Sequence, residues 1–386
     1  MALFEYFPNY VWNLSVSIAM ASGAEIGEIM DMCQPLLAKA EAGEDAGTVE
    51  FMQEWMKMAD KLVSLAEEDE AKGRMLSAGP KRQRAALYYL TAERMQAHGS
   101  ENRLATFKKG IANFKQGTEQ AGETVRRVEV PYGDTTLATL FTPADGVEGP
   151  QPCVVYLNGL DSNKELLYWS RLPQELAKRG IASLCVDQPG TGESLRMQGL
   201  PANWKSEDWG TPVFDYLDGR DDIDSARIGI TGISLGGYYA PRVCANEPRF
   251  ASGAVWGANH NWAEVQQKRI KREGENPVPH YWKHVHWVFG ADGQEDFIEK
   301  SKGMNLNGQM EKIKVPFLVT HGEFDRQISL EYAHQSYDQL VNSPRRELKI
   351  FTPREGGVEH VGADNMSFGR HYIADWFAET LGGRLA

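Results

Sequence analysis

The hexapeptide Gly232-Ile233-Ser234-Leu235-Gly236-Gly237 directly follows the apolar run Arg227-Ile228-Gly229-Ile230. No other stretch constrains the fold as tightly. It reads as a strand, a sharp turn holding Ser234, and a helix that starts near Leu235. Gly232 and Gly236 flank the serine because a Cβ at either place would strike the adjoining strand or helix. Such a turn lifts the Ser234 hydroxyl above the sheet, at the positive end of the helix. Short Gly/Ser patterns also recur in ordinary loops, so the surroundings have to carry weight.

Those surroundings change character near residue 122. Beyond it, 124–130 and 135–141 alternate around Tyr132-Gly133-Asp134, a hairpin signal. Short continuous apolar runs follow at 153–157, 182–186, 228–231, 253–256, 317–320 and 348–351, separated by helix-length stretches. Runs of that kind predict a mostly parallel sheet with helices on both faces. The interval 258–312 is longer than a simple crossover and rich in aromatics and histidines, which predicts a cap inserted after the sixth strand, at about 259–312.

Before residue 122 the pattern is helical. Phe51, Trp55, Met58, Leu62 and Leu65 form one apolar face, and Leu104, Phe107, Ile111 and Phe114 form another. Between them, Ala85, Leu87, Tyr88, Leu90, Ala92 and Met95 predict a helix whose start is marked by Gly79 and Pro80. Core packing is the plain function of these stripes. A chain of 386 residues exceeds most single cores. The expectation is a helical N-terminal domain at 1–122 and an α/β catalytic domain at 123–386.

Composition mainly excludes. A net charge of −12 argues against nucleic-acid binding, which needs a basic footprint. Cys33, Cys153, Cys185 and Cys244 show no metal-ligand spacing and fit a reducing cytoplasm. The apolar segment 11–24 lacks the basic flank of a leader, since Glu5 precedes it and no Lys or Arg occurs before Lys39. It is expected to be an ordered arm or helix. No run is long enough to span a membrane.

A serine hydroxyl is a weak nucleophile and needs a base, itself oriented by an acid. Downstream of Ser234, Asp325 lies just after the run 317–320 and His360 follows the last strand, in the chain order serine, acid, histidine. Glu323 is the rival acid, His321 is expected to shape the turn, and His371 is a poor rival in the final helix. The developing oxyanion would take the Leu235 N–H and the Leu160 N–H, with Gly159 allowing close approach. The loop 187–194 lacks the G-K-[ST] ending of a phosphate loop and reads as a structural turn. No metal or organic cofactor is implied. Together these placements predict the α/β-hydrolase fold acting through an acyl-enzyme.

The loop Asn158-Gly159-Leu160-Asp161-Ser162-Asn163-Lys164-Glu165 is similar to the Gly-Gly-Leu-(Asp/Glu)-Ser-x-Lys-Glu signature of one hydrolase group. That group comprises 2,6-dihydroxy-pseudo-oxynicotine hydrolase, fungal polyketide-shortening hydrolases and FrsA-like esterases. The helical N-terminal region and 232–249 also resemble it, and the resemblance is strongest over about 150–260. Asn158 departs from the usual first glycine. Some members cleave a carbon–carbon bond beside a ketone and others cleave esters, so the resemblance implies a small-molecule carbonyl substrate. Ketone cleavage is the first expectation and a carboxylesterase the alternative, with a non-catalytic binding protein as a third class. For a carbon leaving group, the resemblance implies an extra pocket acid, for which Glu264 is the candidate. Burial and a raised pKa would mark that role, an exposed cap carboxylate its absence. His260 and Trp262 are candidates to line the pocket. A homodimer is implied as well.

Overall fold

The computed structural model describes residues 3–271 and 276–386. They form two compact units, one of 3–125 with 276–284 and one of 126–271 with 285–386.

The first unit carries helices α1 (Tyr10–Ala21), α2 (Ile26–Cys33), α3 (Leu37–Ala40), α4 (Thr48–Glu70), α5 (Met75–Arg94) and α6 (Arg103–Gln120). The apolar segment near the start becomes α1, capped by Asn9, whose side chain accepts the Trp12 N–H. Trp12, Phe51, Trp55 and Tyr88 meet in succession at 5.0, 4.8 and 5.6 Å between ring centres, the middle pair stacked and the outer two edge-on. Helix α5 starts five residues before Pro80, contrary to the expected start at Gly79 and Pro80. Gly79 has a different reason. A Cβ there would lie 2.7 Å from the Ala121 nitrogen, and one at Gly117 would lie 2.9 Å from the Gln83 nitrogen. The glycines let α5 and α6 cross closely.

The second unit is built on β1 (Arg126–Tyr132), β2 (Thr135–Thr142), β3 (Gln151–Leu157), β4 (Ala182–Val186), β5 (Ile223–Ile233), β6 (Ser252–Trp256), β7 (Phe317–Gly322) and β8 (Arg346–Phe351). Among the described residues they form one sheet in the order β1-β2-β4-β3-β5-β6-β7-β8. The β1–β2 hairpin pairs antiparallel and β2 joins β4 antiparallel, while every later pairing is parallel. Every residue of β3, β4, β6 and β7 is buried, the outcome the continuous apolar runs predict.

Helices α7 (Lys164–Trp169), α8 (Leu172–Lys178), α9 (Gly192–Arg196), α10 (Glu207–Asp218) and α11 (Gly236–Asn246) connect these strands. Between β6 and β7 lie α12 (Trp262–Ile270), α13 (Tyr281–Val288) and α14 (Gln294–Ser301). Of the stretch read as a cap, 276–284 clusters with the helical unit. The chain closes with α15 (Leu330–Asp338) and α16 (Met366–Leu381). Because β3 to β8 run parallel, the loops after them leave on one side of the sheet, where such sheets hold their ligands. Among the described residues no helix is long and apolar enough to cross a membrane.

Candidate active site

Ser234 sits between β5 and α11 with a φ of +57°, in the left-handed region that costs a non-glycine residue energy. Its N–H donates to the Trp256 carbonyl at 3.0 Å, and its own carbonyl accepts the Gly237 N–H at 2.8 Å. The flanking glycines have steric reasons. A Cβ on Gly232 would lie 2.2 Å from the Gly236 carbonyl oxygen, and one on Gly236 would lie 2.7 Å from that of Leu157. The tightly packed turn holds the strained serine in place.

One histidine from the loop after β8 and one aspartate from the loop after β7 line up behind it, with His321, near the end of β7, beside the aspartate. The Ser234 hydroxyl is 2.8 Å from His360 Nε2, and His360 Nδ1 is 2.8 Å from Asp325 Oδ2. The other Asp325 oxygen accepts the backbone N–H groups of Gln327 at 2.7 Å and Ile328 at 2.9 Å. Burial works to raise the Asp325 carboxyl, but His360, His321 and the Ile328 N–H outweigh it and hold the group below its ordinary value. His321 accepts the Ala258 N–H on Nδ1 at 3.1 Å, so its proton is on Nε2, which donates to the Ile328 carbonyl at 3.0 Å. It braces the turn that carries Asp325. Glu323 is exposed, and His371 is a half-exposed residue 3.7 Å from Glu175.

The His360 loop has a support that sequence reading missed. Asp364 accepts the N–H groups of Gly357, Val358 and Glu359 at 2.8, 3.2 and 2.9 Å. Val361, directly after His360, is held at a φ of +50°, an outlying conformation for a β-branched residue. The only signal in the sequence was Gly356-Gly357 seven residues before an aspartate.

Leu235 precedes the first turn of α11, and Leu160 lies in the buried loop after β3. Among the described residues neither N–H donates to a protein acceptor. A Cβ on Gly159 would lie 3.1 Å from the Ser234 Cβ, so that glycine admits the serine itself.

Among the described residues, three sequence candidates make their contacts with other partners than Ser234, His360 and Asp325. The Glu264 side chain is 41% exposed and pairs with Lys268 at 2.8 Å. The Lys268 hydrogen bond holds its carboxyl below the ordinary value, the reverse of a buried proton donor. His260 is fully buried, with Nδ1 3.1 Å from the Ser336 hydroxyl and Nε2 3.0 Å from Asn307 Oδ1. Both ring nitrogens are engaged by protein, which leaves none for a substrate. Trp262 stacks on Phe289 at 5.3 Å and meets Phe297 edge-on at 5.8 Å, so its ring is core packing.

The model of the FrsA-like esterases matches residues 46–261, and that of the prolyl oligopeptidase family matches 169–384, each more than half of the chain. Hydrolase LUC6 of Fusarium sp is 27% identical, with 98% of this chain and 99% of the relative covered. The 2,6-dihydropseudooxynicotine hydrolase of Paenarthrobacter nicotinovorans is 25% identical over 85% of this chain and 83% of its own. The solved 2,6-dihydroxy-pseudo-oxynicotine hydrolase superposes with a TM-score of 0.76 at 22% identity, covering 95% of both chains. That likeness is one of fold, the α/β-hydrolase fold.

Proposed function

The chain belongs to the FrsA-like esterase family and is a hydrolase of α/β-hydrolase fold; from that premise we propose that it is a serine hydrolase working through Ser234, His360 and Asp325. The observation that carries the reading is the unbroken relay from the Ser234 hydroxyl through His360 to Asp325, with both links at 2.8 Å. His360 Nε2 takes the Ser234 proton as the oxygen attacks a substrate carbonyl. Asp325 holds the proton on Nδ1, so that Nε2 is the free base, and stabilises the imidazolium that forms. The Leu235 and Leu160 N–H groups receive the oxyanion. Collapse of the tetrahedral adduct expels the leaving group, protonated by His360, and leaves an acyl-Ser234. Water deprotonated by His360 then releases the carboxylic acid.

For the bond cleaved, the first reading is a carbon–carbon bond beside a ketone in a small aromatic or polyketide-like compound. A relative named for 2,6-dihydropseudooxynicotine, matched over 83% of its length, supports it. One observation favours a carboxylesterase instead. Glu264 is held ionised by Lys268, so it supplies no proton to a departing carbanion. An alkoxide needs less help than a carbanion. The cytoplasmic setting fits cysteines that are all free and buried. A two-fold homodimer completes the reading.

The test compares the enzyme with Ser234→Ala on p-nitrophenyl acetate and on a panel of ortho-hydroxylated aryl ketones and β-diketones, with products identified by mass. Serine-dependent ketone cleavage with feeble ester turnover supports the first reading. Efficient ester turnover with inert ketones establishes the esterase. Turnover that survives Ser234→Ala removes the serine mechanism altogether.

A further inference from the structure

The Lys-Glu pair that ends the loop signature has no role in the relay, yet it belongs to a buried charge cluster of the second unit. Lys164 is fully buried, and its ammonium lies 2.7 Å from Glu165, 3.1 Å from Asp187 and 2.5 Å from Glu193. Three carboxylates meet three ammonium donors. Asp187 is the knot. One oxygen accepts the Lys164 N–H at 2.7 Å and Asn158 Nδ2 at 3.2 Å. The other accepts Lys164 Nζ at 3.1 Å and the Glu193 N–H at 2.9 Å. On the outer side Arg127 closes the cluster, with its Nη2 2.9 Å from Glu193.

The cluster grips both ends of one short loop. Asn158 donates its N–H to Gln188 Oε1 at 3.1 Å, accepts from Gln188 Nε2 at 2.9 Å, and donates Nδ2 to the Val186 carbonyl at 2.7 Å. At the other end Asn163 caps α7, accepting the Leu166 N–H at 3.0 Å, directly before Lys164. Leu160 lies between these anchors. Buried ion pairs are poor sources of net stability, because desolvation offsets their attraction. What they do supply is geometry. Asn158 stands where the resembling signature has glycine, and its amide adds a link that glycine lacks.

We propose that Lys164, Asp187 and Asn158 are positioning residues that hold the Leu160 N–H at the oxyanion position. The proposal rests on the serine mechanism above. Donors aimed at a developing charge must already be in place when it forms, and an error of about 1 Å can cost about a hundredfold.

The test uses the full chain and two variants, Lys164→Met and Asn158→Gly. End-point titration with a fluorophosphonate counts competent sites, and p-nitrophenyl acetate reports turnover. Expected is a fall in kcat per titrated site of about tenfold to a hundredfold, with KM changed by less than about twofold. Affinity for an aryl trifluoromethyl ketone, which adds to serine as an oxyanion, should fall by the same factor. A merely structural role lowers the melting temperature and the number of competent sites but leaves kcat per site unchanged. That result in either folded variant overturns the proposal. Should Lys164→Met fail to fold with three carboxylates deprived of the ammonium, Asn158→Gly decides alone, since it removes the amide's links to Val186 and Asp187 and leaves the charges in place. Absence of labelling in the unmodified enzyme would bring down the serine mechanism and this proposal together. Labelled enzyme with unaffected variants brings down only this one.

Discussion

Two carboxylates read from sequence as functional end in opposite states, and their neighbours decide which. Asp325 has a side chain only 1% exposed, tied to His360 and two backbone N–H groups. Asp325→Asn keeps the backbone acceptor but sets an amide against His360 Nδ1, which forces the wrong tautomer. The expected loss in kcat is about 10³–10⁴-fold with the fold intact, read from steady-state kinetics and circular dichroism. Glu264 sits in a solvent-screened pair with Lys268. Glu264→Gln should alter kcat/KM by less than about twofold and stability by under about 1 kcal/mol, as exposed pairs contribute little. A tenfold loss of ketone cleavage in that variant would restore it to the chemistry.

At the scale of elements, the turn after β5 is where local sequence and packing agree most closely. Gly232→Ala forces a methyl into the Gly236 carbonyl, 2.2 Å away. It should destabilise the protein by about 2 kcal/mol or more in chemical denaturation and abolish fluorophosphonate labelling of whatever remains folded. The strands were legible because continuous apolar runs suit a sheet buried on both faces, and those of β4, 182–186, coincide with the observed strand. The start of α5 was not. Gly79 and Pro80 carry the usual boundary signs, but Gly79 answers to α6, a partner some forty residues away. The strand-end placement of Ser234, Asp325 and His360 was readable, whereas the Asp364 support of the His360 loop was not, because a lone aspartate after two glycines has no distinctive spacing.

For the molecule as a whole, the buried cluster makes stability depend on pH. Burial first, and then Asp187 and Glu193, push the Glu165 carboxyl up to about 7 against the pull of Lys164. A carboxyl whose folded pKa is raised contributes stability below its unfolded value, about 4.3, and loses that contribution as pH climbs through about 7. Glu165→Gln should therefore flatten the decline of unfolding free energy between about pH 5 and pH 8, measured by denaturant titration. An unchanged profile would mean that Glu165 stays ionised throughout.

Sequence alone determined the strand rhythm, the Ser234 turn and the serine–aspartate–histidine order, because each depends on residues adjacent in the chain or on loop order along a parallel sheet. Only the tertiary structure decided which side chains remain free for chemistry. His260 is occupied by Ser336 and Asn307, partners 76 and 47 residues distant. Trp262 is occupied by Phe289 and Phe297, and Lys164 is enclosed by Asp187 just after β4 and Glu193 in the first turn of α9. A side chain's availability is set by what folds against it, and that neighbour is seldom nearby in the chain.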